Sequence, residues 1–293
     1  MEYEMKTTPP TTEPNSPDHK RHQTLVQENR FNPLDFSLTT ALPERYSAPE
    51  PSAWIGHVPF AMTLIEMLLP ATVVELGTHV GISYSAFCQA VSKLNLPTKC
   101  WAIDTWQGDA HTGAYSNHIH DELRRHHDPR YASFSTLLRS TFNEARSHFT
   151  DGTVDLLHID GYHSYEAVEN DFITWLPKMS TRGIVLFHDT AVRDHESFGV
   201  WRLWDKLSKQ HPNFEFDHAQ GLGVLSVGSF IPTKLVPLFQ ASPDDATRIR
   251  RHFQGLGKTL EELQNRTLTQ RENFGRKFLS KLRRNFRNFL PHQ

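Results

Sequence analysis

Between residues 71 and 228, short apolar runs alternate with helical patterns, and this alternation limits the fold more than any other feature. The runs ATVVEL (71–76), CWAID (100–104), VDLLHID (154–160) and GIVLFHD (183–189) read as buried strands. Helical patterns cover 83–94 and 164–176, and Val200, Leu203, Trp204 and Leu207 recur at helical spacing. Strands that alternate with helices build βαβ units and a mainly parallel sheet. The series closes differently. FEF (214–216) and GVLSVG (223–228) are separated only by a turn-rich loop, which predicts an antiparallel pair at the sheet edge. Upstream, HVPFAMTLIEMLL (57–69) predicts a helix packed on the sheet.

The flanks read differently from this centre. Residues 1–33, rich in Pro, Thr, Glu and Asn, predict a disordered arm. An α/β domain is expected over 34–230 and a helical, basic, amphipathic extension over 231–293. A net charge of −2 argues against a nucleic-acid partner. Cys88 and Cys100 form no CxxC pair, which argues against a disulfide framework or thiolate zinc site and fits a reducing compartment. No apolar run suits a signal peptide or a membrane span. A cytoplasmic protein is therefore expected.

Three motifs carry chemistry. In VVELGTHVGIS (73–83), Gly77 and Gly81 shape a turn from strand to helix, and the helix start favours an anionic group such as a carboxylate. The spacing E-x-G-x-x-x-G places His79 where a dinucleotide fingerprint needs glycine, and no GK[ST] follows for a phosphate loop. Glu75 at the strand end would repel a pyrophosphate but suits the cationic amino acid portion of S-adenosylmethionine (SAM). The alternative is a tight turn with no ligand. Asp104 ends the second strand, where an acid accepts hydrogen bonds from ribose hydroxyls; an Asp that merely turns the chain is the alternative.

The third motif pairs HIDGYH (158–163) with LFHD (186–189). Ligands of open parallel sheets bind outside the carboxyl ends of the strands, so Asp160, His163, His188 and Asp189 should converge. Asp160, Asp189 and His188 suit a divalent cation, Mg or Mn. His163, assisted by Asp160, suits proton removal from a substrate hydroxyl. Part of the cluster also starts a helix, with Ser164 as cap, and His158 reads equally as a core histidine. The segment 106–130, rich in Gly, His and Asp, reads as a mobile lid or a plain surface excursion.

Taken together, ELGTHVGISYSAF, AIDTWQGDAHTGAY, LLHIDGYHSYEAVENDFITWLP, GIVLFHDT, FGVWRLWDKL and GLGVLSVG resemble class I SAM-dependent methyltransferases of the methyltransferase-24 type, often encoded with or fused to bacterial glycosyltransferases. The resemblance implies a Rossmann-like, seven-stranded sheet of order 3-2-1-4-5-7-6 with strand 7 antiparallel. It implies that Glu75, Gly77, Thr78 and Gly81 line the methionine end of SAM and that Asp104 binds its ribose. A more distant similarity to metal-dependent sugar O-methyltransferases of macrolide biosynthesis covers Asp160, His163 and Asp189; His188 stands where that pattern has an acid. The implied activity is O-methylation of a sugar or glycan hydroxyl. The alternative is a catalytically silent SAM-fold scaffold in a glycan-assembly complex.

From Arg271 onward, seven Lys or Arg stand against one acid, Glu272, while Phe274, Phe278, Leu282, Phe286 and Phe289 fall on one helical face. A membrane-surface helix, a partner-binding helix, and a helix docked on its own domain or a dimer mate are the readings of this tail. A homo-oligomer, peripheral to the inner membrane face, is the matching expectation.

Overall fold

The computed structural model describes residues 30–45, 48, 51–109, 113–114 and 116–287, with the side chains of 109, 114 and 271–287 excepted. In chain order the main elements are α1 (Val58–Leu68), β1 (Thr72–Leu76), α2 (Ile82–Lys93), β2 (Lys99–Asp104), α3 (Asn117–Tyr131), β3 (Ser135–Arg139), β4 (Val154–Ile159), α4 (Tyr165–Trp175), β5 (Met179–His188), α5 (Val200–Leu207), β6 (Asn213–Phe216), β7 (Leu222–Ser226) and α6 (Pro243–Arg287).

The strands form one sheet of order β3-β2-β1-β4-β5-β7-β6. Pairings are parallel from β3 through β5, whereas β7 runs antiparallel to both β5 and β6. This is the sheet expected from the alternation and its closing strand pair. Because side chains alternate across a strand, each one feeds two cores. Val73, Ala102, Leu156 and Leu186 face a core shared with α1, α2 and α6. Val74, Ile103, Leu157 and Phe187 face a core built with α4 and α5.

Two segments depart from the sequence reading. β3 was not among the expected runs, since only Ser135 of its five residues is fully buried. The expected lid is largely helix: after a short hairpin pairing Gly108–Asp109 with Gly113–Ala114, α3 runs to Tyr131. Ile119, Leu123, His127 and Tyr131 form its buried stripe. His127 serves there as a polar core residue, with Nε2 2.7 Å from Ser135 Oγ.

The chain beyond the sheet packs on it. Leu235, Leu238, Ile249, Phe253 and Leu260 are all buried in the first core. At Gly257 α6 meets the 53–57 turn so closely that a Cβ there would lie 2.1 Å from Gly56 O. Arg30 and Phe31, within the expected arm, also pack, Arg30 on Asp245 and Phe31 on Phe36 and Phe253. Residues 1–29 of that arm, and 288–293 of the tail, lie outside the described residues. No helix among the described residues is long and apolar enough to cross a membrane.

One buried acid weakens this packing. Asp171 on α4 is 6% exposed, and among the described residues its carboxylate accepts a hydrogen bond only from Asn170 Nδ2, at 3.4 Å. Burial pushes its carboxyl up to about 6. The folded state therefore holds a proton that the unfolded chain releases near pH 4, and stability falls as pH rises from about 4 through 6. Asp171→Asn is expected to stabilise the protein by about 2 kcal/mol at pH 8 and to change little at pH 4. Urea denaturation at both pH values checks this; an equal gain at both would remove the titration as its cause.

Candidate active site

A cavity of about 440 Å³ opens at the carboxyl ends of β1, β2, β4 and β5. Gly77, Thr78, Asp104, Asp160, His163 and His188, all expected at a site, line it together with Asp189. Two expected residues stand behind its wall: Glu75, fully buried, and Gly81, which caps α2.

The glycine turn owes its residues to the protein itself. Gly77 (φ 86°) has no room for a side chain, because a Cβ would fall 2.1 Å from Asp160 O. At Gly81 (φ 74°) a Cβ would fall 2.5 Å from Leu123 Cδ1. The loops after β1 and β4 thus touch through Gly77, which holds the first and third motifs together. His79 between them also takes a left-handed φ of 47°. Asp104 fastens this turn: Oδ2 accepts from the backbone N–H groups of Thr78 and His79, both at 2.9 Å, and Oδ1 accepts from Trp106 N at 2.7 Å. A ribose hydroxyl, as expected at this position, would have to use the lone pair left on Oδ1. Among the described residues, buried Thr78 Oγ1 has no hydrogen-bond partner, an open polar atom on a wall expected to hold a nucleoside's amino acid end.

Glu75 pairs with His158 directly across β1 and β4. His158 Nδ1 is 2.8 Å from Glu75 Oε2, and Trp54 Nε1–H donates to His158 Nε2 at 3.1 Å. Since the indole can only donate, His158 Nε2 carries no proton and Nδ1–H donates to Glu75. Burial raises the Glu75 carboxyl against the opposing pull of His158. Through His158, Glu75 is tied to Trp54, which lines the cavity.

At the other end, two carboxylates and two imidazoles gather. His163 Nε2 lies 2.9 Å from Asp189 Oδ2 and 3.9 Å from Asp160 Oδ1. His188 Nδ1 lies 3.3 Å from Asp160 Oδ1 and 3.5 Å from Asp189 Oδ1. His188 Nε2 and His57 Nε2 both lie 3.1 Å from the Ala219 carbonyl, which only accepts, so both carry hydrogen. His188 Nδ1 accordingly faces two acids and either bears a second proton or gives its lone pair to a cation. Burial alone would lower the His188 imidazole, yet the charges of Asp189 and Asp160 hold it well above its ordinary value. His163 is likewise raised: burial opposes the rise, and the hydrogen bond and charge of Asp189 outweigh it. Burial would raise Asp189, but His188 and His163 hold it well below the usual carboxylate range.

This donor set fits a divalent cation. One ligand atom each from Asp160, His163 and Asp189 lie within 4.8 Å of one another, and buried Asp189 Oδ1 makes no hydrogen bond. The tight group contains His163 where the sequence pointed to His188, which stands immediately beside it.

Residues that sequence reasoning did not single out complete the walls. Phe198 stacks on His163, ring centroids 4.4 Å apart and planes within 3°. Gln220 sits in a turn where Ala219 (φ 48°) and Gln220 (φ 70°) are both left-handed. Phe198 opens the FGVWRLWDKL motif, yet nothing local in the sequence marks its stacking, and no local signal marks Gln220; both arrive from loops distant in the chain.

The chain is similar to several known proteins. Residues 74–190 match the family described as a methyltransferase domain. The Sinorhizobium fredii (strain NBRC 101917 / NGR234) protein y4gI is 49% identical over 193 residues, 66% of this chain and 21% of that protein. The chain thus spans about a fifth of that relative's length. Among solved structures, cofactor-bound Rv0187 from MTB is similar at TM-score 0.47 and 14% identity, over 74% of this chain and 99% of that one. The TDP-rhamnose 3'-O-methyltransferase CalS11 of calicheamicin biosynthesis is similar at TM-score 0.45 and 14% identity, over 73% and 96%. TomG from Streptomyces achromogenes, an O-methyltransferase in complex with SAM, is similar at TM-score 0.46 and 13% identity, over 61% and 82%.

Proposed function

We propose that the SAM-dependent methyltransferase domain this chain carries moves a methyl group to a hydroxyl oxygen of a sugar or glycan in the cytoplasm. The observation that carries the reading is the meeting of the glycine turn with Asp160, His163, His188 and Asp189 in one cavity. In the reaction the oxygen–methyl bond forms as the sulfur–methyl bond breaks, and the hydroxyl proton must leave.

His163 takes that proton. Asp189, bonded to Nε2, sets the ring's tautomer and supports the imidazolium that forms. Phe198 and the hydrogen bond from Gly199 N to His163 O (2.7 Å) hold the imidazole in place. Asp160, Asp189 and His188 would hold Mg or Mn, with Ala219 O fixing the His188 tautomer that points Nδ1 at the two acids. Such an ion supplies Lewis acidity that lowers a hydroxyl's pKa. Thr78 and Asp104 hold the donor's methionine and ribose ends. The sugar acceptor rests on the sequence resemblance to glycosyltransferase-associated domains.

The test is methyl transfer from radiolabelled SAM to a panel of free and nucleotide-activated sugars, with and without EDTA. The reading fails if the protein neither binds SAM nor labels any acceptor. His163→Ala is expected to lower turnover at least about tenfold while calorimetric SAM affinity stays near wild type. An unchanged rate would remove His163 from proton transfer.

A further inference from the structure

We propose that residues 271–287 of α6 are a docking surface for anionic lipid headgroups, which hold the enzyme on a membrane face. The backbone of α6 is one unbroken helix from Pro243 to Arg287. Its first part is anchored in the domain: Ile249, Phe253, Leu260 and Gln264 are buried, and Gly257 abuts Gly56. Helical register carries that buried row forward, since successive residues turn by about 100°. Positions 267, 271, 274, 278 and 282 all fall within about 40° of position 260, so the row passes through Thr267 and Arg271 and then continues as Phe274, Phe278 and Leu282. Residues 265–287 extend the helix by about 34 Å beyond Gln264.

Charge decides what this extension meets. Over 243–264 the helix carries four Lys or Arg and four Asp or Glu, as suits a helix lying on its own domain. Over 271–287 the count is seven against one. Arg276, Lys277, Lys281, Arg283, Arg284 and Arg287 take register positions beside or opposite the apolar row. Pairing with a second copy would set seven bases against seven, whereas helix dimers are stabilised by opposite charges beside the apolar seam. An apolar row flanked by cations matches a helix lying in the headgroup layer, with its row in the acyl boundary and its bases on anionic headgroups. The length and apolar content do not suit a span.

The experiment uses the full chain with phosphatidylcholine vesicles, with and without phosphatidylglycerol, in co-sedimentation assays. Binding is expected only with phosphatidylglycerol and is expected to weaken as salt rises. A Lys281→Glu, Arg283→Glu, Arg284→Glu variant should bind about tenfold or more weakly, because each base near such a surface adds to the attraction. Phe278→Asp should weaken binding by a separate route. Circular dichroism of both variants shows whether the helix persists; if it melts, Lys281→Ala and Phe278→Ala in the full chain replace them. Equal sedimentation of wild type and variants, or none, overturns the proposal. So does a dimer in analytical ultracentrifugation that the charge reversals abolish, with no vesicle binding. This test needs no methyl acceptor and stands apart from the proposed activity.

Discussion

Replacing Asp189 by Asn is expected to cut methyl transfer by about two orders of magnitude or more while leaving SAM affinity within about threefold. Three features make this substitution informative. Asp189 holds a left-handed φ of 63°, which Asn adopts more readily than most residues, so the backbone need not move. Its side chain is 3% exposed, so the size match matters and solvent cannot replace the lost charge. Its two oxygens face two different imidazoles, His163 at 2.9 Å and His188 at 3.5 Å. Asn offers one acceptor and one amide, so one imidazole loses its anionic partner whichever way the amide turns. The proposed cation site would lose a charged ligand in the same step. The measurement is initial rate on the best acceptor of the panel, beside calorimetry with SAM. A rate within about threefold of wild type would mean that the carboxylate is scaffolding only.

Gly77→Ala is expected to destabilise the domain by about 4 kcal/mol or more and to abolish SAM binding. The left-handed backbone alone would cost about 1–2 kcal/mol for a residue with a Cβ. The larger part is steric, because the new atom would sit 2.1 Å from Asp160 O and 2.9 Å from Gly161 Cα. Neither is the end of a flexible side chain, so the loops after β1 and β4 would have to part. That strains the bonds from Asp160 N to Leu76 O (2.8 Å) and from Gly77 N to Ile103 O (3.0 Å). Gly152 provides the control: its φ is 74°, yet a Cβ there would meet nothing within 4 Å. Gly152→Ala should show the conformational cost alone, about 1–2 kcal/mol. If thermal denaturation finds the two variants equally stable, the contact between the loops does not limit the fold.

The sheet was readable because β1, β4 and the end of β5 are buried on both faces and appear as continuous apolar runs. β3 was missed for the opposite reason, since an edge strand half open to solvent carries little pattern. α3 carries little signal because its buried stripe includes His127 and because Pro129, which sits inside the helix, reads as a breaker. The acids and His163 were legible from their places at strand ends, which the parallel topology converts into proximity. What sequence could not give is lateral partnership. The sequence places Glu75 at a strand end but does not give its neighbour across the register, His158, because that pairing depends on how two strands slide into alignment. Likewise, the spacing of Gly77 and Gly81 gives a turn but does not show that Asp160 O would lie 2.1 Å from a Cβ at Gly77.

The unbroken course of α6 ties the angle of its far end to the contact between Gly257 and Gly56. One residue added between 258 and 270 would swing everything beyond it by about 100° about the helix axis. Positions 277, 281 and 284, all Lys or Arg, would then take the register of the apolar row with no change in the composition of 271–287. For this stretch, the count of residues constrains the chain more tightly than their identity.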